Sequence, residues 1–185
     1  MRILAFGDLH DREYYYSDIE EKIREFKPEL VMGVGDIVNY KKLVSHLVGS
    51  GIEFDFVFVH GNNDNLEDVK ARLRENKFMY YLDSEVQTVK KIKFLGVGGV
   101  LGVKSRNFRI KELKKIIEKI EKVDILITHI DPDSRGGHLF REFVWKKEPK
   151  YWFHGHKHEK AGEIKRIGKT VVINASCPVI TDLEL

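Results

Sequence analysis

The stretch "FDFVFVHGNNDN", residues 54–65, joins an apolar run to a polar turn. The phenylalanines and valines of "FDFVFV" predict a buried strand, because aromatic and β-branched residues favour strands. Gly, Asn and Asp are also the residues that surface turns prefer, so the segment after the strand could be only a turn. A buried strand that ends in an amide and a carboxylate nevertheless often delivers them to a functional site.

Similar apolar, β-branched runs predict further strands at residues 2–6, 30–34, 123–128, 150–154 and 170–174. Amphipathic patterns predict helices at residues 18–26, 109–122 and 138–147, with weaker patterns at 41–49 and 66–76. Ser17 or Asp18 is the expected N-cap of the first helix. Residues 79–102 predict two or three short strands that join two βα-rich halves. The alternation of strands and helices predicts a layered α/β fold with a largely parallel sheet core.

Composition predicts a single globular domain spanning residues 1–185, with 42% hydrophobic residues to form its core. The one cysteine, Cys177, excludes an intrachain disulfide. No apolar run approaches the roughly 20 residues of a membrane span, and the N-terminal run is too short for a signal peptide. We therefore expect a soluble, cytoplasmic protein.

The charge pattern gives no strong signal for a nucleic-acid partner. The chain has 32 Lys and Arg against 29 Asp and Glu, a formal net charge of +3, without long runs of one sign. Charged residues nevertheless make up 33% of the chain, and Lys and Glu dominate them. This bias is typical of hyperthermophile proteins, so we expect a thermophilic source.

The residues that follow the predicted strands share one chemical character. Each can bind a metal ion or stands beside a residue that can: Asp8 and His10, Asp36, Asn62 and Asp64, His129, His156 and His158. In open α/β sheets, ligands bind at the carboxyl ends of the strands, where the loops converge. We therefore expect these side chains to gather at one edge of the sheet.

The residue types indicate which ions this edge would bind. Carboxylate and imidazole ligands without thiolate suit Mn, Fe, Zn or Co, and an aspartate can bridge two ions roughly 3.5–4 Å apart. Seven ligands suffice for two ions only if one ligand is shared, and Asp36 is the natural bridge. Glycines precede four of the segments, at Gly7, Gly35, Gly61 and Gly155. Backbone that turns sharply beside a metal favours residues without a Cβ.

The motifs "GDLH" (7–10), "GD" (35–36), "GNND" (61–64), "TH" (128–129) and "GHKH" (155–158) together resemble the ordered signature of the calcineurin-like metallophosphoesterases. Residues 136–159 are similar to the small, cap-less phosphodiesterase-like branch of that family. The resemblance implies a four-layer αββα sandwich with two divalent metal ions, of which Mn is favoured and Fe, Zn, Ni and Co are alternatives. It assigns one ion to Asp8, His10, Asp36 and His158, and the other to Asp36, Asn62, His129 and His156.

The activity that the resemblance implies is metal-dependent phosphoester hydrolysis, in which a hydroxide bridging the two ions attacks the phosphorus. Phosphodiesters are favoured over monoesters because the chain leaves no room for a cap domain. Asn63 stands where much of the family has a catalytic histidine, and an amide can donate a hydrogen bond but cannot act as a general acid. Asp64 is expected to hold a ligand, or its loop, by hydrogen bonds.

The missing histidine keeps a second function open, a non-catalytic interaction scaffold of the same fold. As a phosphoesterase, the protein would take a small substrate, with nucleotide-like compounds among the candidates. Arg135 could contact a phosphate oxygen, with a solvated loop arginine as the alternative. Tyr15, within "YYY" at 14–16, could stack on a base or aryl group, with a partly buried loop as the alternative. His60 and His154 are expected to be core or strand-end histidines, and the oligomeric state stays open.

Overall fold

The computed structural model describes residues 1–99, 106–134 and 136–183, without the side chains of 106–112. The strands are β1 (Arg2–Phe6), β2 (Leu30–Gly33), β3 (Asp55–Phe58), β4 (Met79–Tyr81), β5 (Glu85–Val89), β6 (Ile92–Val97), β7 (Ile125–Thr128), β8 (Tyr151–His154), β9 (Ile164–Ile167), β10 (Thr170–Asn174) and β11 (Val179–Asp182). The helices are α1 (Glu13–Phe26), α2 (Tyr40–Gly49), α3 (Leu66–Glu75), α4 (Arg106–Lys119), α5 (Gly137–Lys147) and a 3-10 turn (His158–Lys160). No helix in the described part of the chain is long and apolar enough to cross a membrane.

The first sheet has the strand order β11-β1-β2-β3-β4. Its central strands are parallel, and their last residues are paired: Phe6 with Gly33, and Gly33 with Phe58. Because the three strands end in register, the segments that follow them leave the sheet side by side. These segments carry four of the predicted ligands, Asp8, His10, Asp36 and Asn62.

The second sheet has the strand order β5-β6-β7-β8-β10-β9. Its inner strands are also parallel, with Thr128 paired to His154 and His154 paired to Asn174. The residues after β7 and β8 are therefore neighbours as well. The predicted strands at 79–102 are the three strands β4, β5 and β6, and the chain passes from the first sheet to the second between β4 and β5.

Three hydrophobic clusters show the layers. The central cluster lies between the two sheets and contains residues from both, such as Met32, Val57, Phe94 and Ile127. A second cluster packs the outer face of the first sheet against α1, α2 and α3, and a third packs the outer face of the second sheet against α4 and α5. The order helix, sheet, sheet, helix confirms the predicted α/β fold class, a four-layer αββα sandwich.

Two features of the fold differ from the sequence prediction. Helix α1 begins at Glu13, so Ser17 and Asp18 lie inside the helix and are not its N-cap. The reason is tertiary packing, because Tyr16 is fully buried and its hydroxyl donates to the Ile37 carbonyl at 3.0 Å. Strands β9 and β11 were not predicted, and both are antiparallel edge strands without a fully buried residue. These two strands form by pairing with β10 and β1, and the apolar pattern of their own sequence does not reveal that pairing.

Candidate metal centre

Five predicted ligands converge between the ends of the two sheets. Asp8, His10 and His158 form one group, and Asp8, Asp36 and His129 form another. In each group, one possible ligand atom from every residue lies within 4.8 Å of the others. These side chains follow β1, β2, β7 and β8, so four separate segments contribute to one cluster.

The spacing within the cluster suits a metal ion. The Nε2 atom of His158 lies 3.3 Å from Asp8 Oδ1 and 3.2 Å from the Nε2 atom of His10. The same His10 nitrogen lies 3.8 Å from Asp36 Oδ2. Metal–ligand bonds of about 2.0–2.2 Å place neighbouring ligand atoms about 3–4 Å apart. The cluster thus has the dimensions of a coordination shell.

Asp8 provides a test of whether the cluster fits a cation. Its Oδ2 atom accepts a hydrogen bond from the His156 backbone N–H at 2.8 Å, whereas its buried Oδ1 atom has no hydrogen-bond partner. A buried carboxylate oxygen without a partner is costly unless a positive charge compensates it. A divalent ion bound between Asp8, His10 and His158 would remove this cost, so the residues fit the group.

The tautomer of His129 points to the same conclusion. Its Nδ1 atom lies 2.8 Å from the carbonyl oxygen of Val34, which can only accept, so Nδ1 carries the hydrogen. Its Nε2 atom lies 3.1 Å from the side-chain oxygen of Asn62 and 3.5 Å from Asp36 Oδ2. A divalent ion between these three atoms would be bound by all of them. A histidine held through Nδ1 by a carbonyl is the usual arrangement of a metal ligand.

Asn62 and His156 complete the set of seven predicted ligands, but the structure places them differently. The Asn62 side-chain oxygen reaches the His129 ring and lies beside the second group. The imidazole of His156 belongs to neither group in the described part of the chain. Its ring packs edge-on against His129 with a centroid distance of 5.0 Å, and its backbone has a φ of 73°. His156 thus lies next to the cluster, with its ring against His129 and its backbone N–H bound to Asp8.

Asp64 connects the two loops that carry Asp36 and Asn62. Its Oδ2 atom accepts from the backbone N–H groups of Asp36 at 2.9 Å and Gly61 at 2.7 Å, and from the Tyr40 hydroxyl at 3.1 Å. Its Oδ1 atom accepts from the N–H of Val38 at 2.7 Å. Asp36 and Val38 have φ values of 53° and 70°, which are strained for residues with a Cβ. Asp64 accepts a hydrogen bond from each of these two strained residues and so stabilises their backbone.

Glycines allow the loops to approach the carboxylates. A Cβ atom on Gly61 would lie 2.0 Å from Asp36 Oδ1, and one on Gly155 would lie 2.7 Å from Asp8 Oδ2. Gly35 has a φ of 95°, and a Cβ atom on it would lie 2.4 Å from the backbone nitrogen of Gly61. The close approach that the sequence suggests for these glycines is present.

Asn63 is bound to Asp36 through two groups. Its backbone N–H donates to Asp36 Oδ1 at 2.8 Å, and its side-chain Nδ2 donates to Asp36 Oδ2 at 2.7 Å. The residue that replaces the family histidine is therefore a partner of a predicted metal ligand in this structure.

The two predicted substrate contacts are less informative. Arg135 lies outside the described residues. Tyr15 lies in the first turn of α1 and not in a loop, and it is half-buried against the core beneath that helix. Its neighbour Tyr14 is 57% exposed and packs against it with a ring-centroid distance of 4.2 Å. Tyr14 is thus the more accessible ring.

The two remaining histidines near the strand ends are buried, as expected. His60 lies beside Tyr81, with its Nδ1 atom 2.8 Å from the tyrosine hydroxyl. Burial lowers the pKa of His154 to about 4, so this ring is neutral near pH 7. Neither ring belongs to the two groups of converging ligands found among the described residues.

Sequence reasoning missed two groups that orient the ligands. The Val34 carbonyl fixes the ring of His129, and the Tyr40 hydroxyl donates to Asp64. Tyr40 is fully buried, and burial raises the pKa of its hydroxyl well above the usual value, so the group remains a donor. No side-chain pattern could reveal the role of a backbone carbonyl. The only sequence signal at Tyr40 is its place just before the weakly predicted helix at residues 41–49.

The chain matches known proteins along almost its whole length. The family model for the calcineurin-like phosphoesterase superfamily domain matches residues 1–178. The uncharacterized protein MJ1162 of Methanocaldococcus jannaschii is 23% identical over 202 residues, covering 95% of this chain and 88% of that protein.

Solved structures share the fold. The crystal structure of TT1561 of Thermus thermophilus superposes with a TM-score of 0.70 at 14% identity, covering 95% of this chain and 90% of that one. The structure of an archaeal phosphodiesterase gives a TM-score of 0.56 at 17% identity, covering 94% of this chain and 82% of that one. At these identities the structures establish the fold, and the family model establishes the membership. The chain belongs to the calcineurin-like phosphoesterase superfamily, a membership that indicates metal-dependent phosphoester hydrolysis.

Proposed function

We propose that the protein is a phosphodiesterase that uses two divalent metal ions. The observation that carries the proposal is the convergence of Asp8, Asp36 and His129, in which a buried oxygen of Asp8 lacks a hydrogen-bond partner and His129 Nε2 lies 3.1 Å from the side-chain oxygen of Asn62. Asp36 lies between the two histidine groups, 3.8 Å from His10 Nε2 and 3.5 Å from His129 Nε2. This position suits a ligand shared by two ions.

The proposed ligand sets follow the two groups. Asp8, His10, Asp36 and His158 would hold one ion, and Asp36, Asn62, His129 and His156 would hold the other. In the second set, a His156 ring nitrogen would have to come closer to Asp36 and His129, because the ring now packs edge-on against His129 and belongs to neither group in the described part of the chain. Mixed oxygen and nitrogen ligands without sulfur suit Mn, with Fe, Zn, Ni or Co as alternatives. Bound ions of this kind activate water and neutralise charge on the phosphoryl oxygens.

The chain's own residues orient these ligands. Val34 fixes the His129 ring through its carbonyl, and Asp64 holds the backbone of the Asp36 and Gly61 loops. The substrate would bind at the solvent-facing side, where the His158 side chain is 48% exposed. Preorganised ligands require less rearrangement during the reaction, which favours catalysis.

Three features support a small phosphodiester as the substrate. The resemblance is to the cap-less branch, and one solved structure of the same fold is that of a phosphodiesterase. The third feature concerns the leaving group within that class, because the amide of Asn63 cannot protonate it. General acid catalysis typically contributes about 10²–10⁴-fold, and poor leaving groups need it most. We therefore expect efficient hydrolysis of aryl diesters and slower hydrolysis of alkyl diesters such as nucleotide esters.

A metal-supplemented assay tests this function. The metal-stripped protein is assayed with aryl phosphodiesters and monoesters after addition of Mn, Ni, Co, Zn or Mg. We expect metal-dependent turnover with the diester preferred, and loss of that turnover in Asp36→Asn. Asp182→Asn is the matched control, because Asp182 is an exposed residue of the edge strand β11, where its carboxylate lies 3.9 Å from Arg2 Nε.

The alternative of a non-catalytic scaffold makes the opposite prediction. A scaffold would show no turnover with any of the five metals, and the wild type and Asp36→Asn would be equally inactive. Activity that is indifferent to Asp36→Asn would also overturn the proposed site. Preference for the monoester would retain the metal site but overturn the phosphodiesterase assignment.

A further inference from the structure

The contact between Asn63 and Asp36 is a two-point clamp on one carboxylate. The backbone N–H of Asn63 holds Oδ1 at 2.8 Å, and its side-chain amide holds Oδ2 at 2.7 Å. The terminal torsion of an aspartate is broad and soft, so a single hydrogen bond would leave the carboxylate plane free to turn. Two hydrogen bonds from one residue fix the plane.

The fixed plane points Oδ2 at the proposed metal positions. This oxygen lies 3.5 Å from His129 Nε2 and 3.8 Å from His10 Nε2, one from each group of histidines. A carboxylate oxygen has two lone pairs, so Oδ2 can accept from Asn63 and still bind a cation. The Asp36 side chain is only 3% exposed, and solvent therefore contributes little to its orientation.

We propose that Asn63 is a positioning residue that holds Asp36 in the orientation needed to bind metal, and that it does not act on the substrate. This inference rests on the proposed metal centre. It gives the replacement of the motif histidine a specific meaning, since the side-chain amide of Asn63 adds a second hydrogen bond to the one from its backbone N–H, which any residue other than proline could donate.

The chain supplies a matched control in the same loop. Asn65 is another exposed asparagine, and its side chain accepts from the backbone N–H groups of Glu67 and Asp68 at the start of α3. Removing it deletes a helix cap without touching Asp36. Asn65→Ala therefore measures the loss of stability that follows from removing an asparagine of this loop that does not contact Asp36.

The test is calorimetric titration of the metal-stripped protein with Mn²⁺, for the wild type, Asn63→Ala, Asn63→Asp and Asn65→Ala. We expect Asn63→Ala to bind Mn²⁺ about 10–100-fold more weakly, the usual loss when a partner of a metal ligand is removed. Asn63→Asp should be at least as weak, because its carboxylate repels Asp36. Asn65→Ala should melt at a lower temperature and bind Mn²⁺ within twofold of the wild type.

Activity against Mn²⁺ concentration separates positioning from substrate contact. If Asn63 only positions Asp36, the aryl diesterase activity of Asn63→Ala recovers at saturating Mn²⁺, with kcat and KM close to those of the wild type. A deficit in kcat or KM that persists at saturation overturns the inference, as does an unchanged Mn²⁺ affinity in a folded Asn63→Ala protein. A wild-type protein that binds no Mn²⁺ overturns both this inference and the proposed function, whereas unchanged affinity in the variant overturns this inference alone.

Discussion

Two loop regions face each other across the candidate metal centre, and they are held very differently. The β2–β3 corner, residues 34–38 and 61–64, is bound together by Asp64 and Asn63, which make six hydrogen bonds within it and to Tyr40. The β8 loop, residues 155–158, is held through its backbone by Asp8 and by the Asn174 amide. Its His158 side chain is 48% exposed.

The contrast separates two roles within one site. The β2–β3 corner fixes its carboxylate before any ion binds, and it uses strained backbone to do so. The β8 loop keeps its imidazoles accessible to solvent. We infer that the corner sets the positions of the ions and that the β8 loop adjusts around them and around the substrate.

The largest expected effect comes from breaking the corner at Asp64. Asp64→Ala leaves three backbone N–H groups and the Tyr40 hydroxyl without their acceptor. We expect a loss of about 3–4 kcal/mol in the free energy of unfolding, because hydrogen bonds to charged groups contribute about 1.5–3 kcal/mol each and are not additive. Urea denaturation in EDTA measures it.

Asp64→Asn serves as the comparison for this variant, since it keeps one acceptor oxygen and should lose less than Asp64→Ala. A free energy of unfolding for Asp64→Ala that stays within about 1 kcal/mol of the wild type, the size of one ordinary hydrogen bond, would show that the corner does not depend on this carboxylate.

The next largest effect is a difference in stability between variants of two predicted ligands, His129, which is bound to the β2–β3 corner, and His158, which belongs to the β8 loop. His129 is fully buried and donates to Val34, whereas His158 is half-exposed. In EDTA, we expect His129→Ala to lower the free energy of unfolding by about 2 kcal/mol more than His158→Ala does, because it empties a buried position and leaves a carbonyl unpaired.

Both histidine variants should weaken Mn²⁺ binding, because each loses a predicted ligand. A difference in their stability in EDTA is therefore separate from the loss of a ligand. Equal stability of the two variants in EDTA would remove the distinction between a rigid and an adjustable half.

The smallest expected effect concerns leaving groups. Asn63→His restores the residue that much of the family has, and with it a possible proton donor. At saturating Mn²⁺, we expect the ratio of alkyl to aryl diesterase activity to rise by about tenfold relative to the wild type, since only the poor leaving group needs the proton. Parallel assays of a p-nitrophenyl diester and an alkyl diester measure the ratio, and an unchanged ratio would contradict the expectation.

Much of the site could be predicted because its side chains stand directly behind apolar strands. Parallel pairing in register then brings Asp8, Asp36 and Asn62 together without any detail of packing. The contacts that orient the ligands could be predicted only in part. Asp64 is expected from its sequence position to hold a ligand or its loop, but its backbone partners lie 26 and 28 residues away, and Val34 acts through its carbonyl. Both details depend on how separate loops meet.

The same limit applies to the fold. The buried strands carry continuous apolar runs, whereas β9, "IKRI", alternates exposed and half-buried residues and forms only because β10 offers an edge. The first turn of α1 depends on the burial of Tyr16, and neither Ser17 nor Asp18 signals it.

The number of metal ions per chain tests the central claim most directly. The stripped protein is equilibrated with excess Mn²⁺, freed of unbound metal and measured by elemental analysis, beside Asp36→Asn. We predict two ions per wild-type chain and at most one in Asp36→Asn, because a shared ligand serves both positions. A wild-type chain that retains one ion or none, or an Asp36→Asn chain that still retains two, would contradict a dinuclear centre bridged by Asp36.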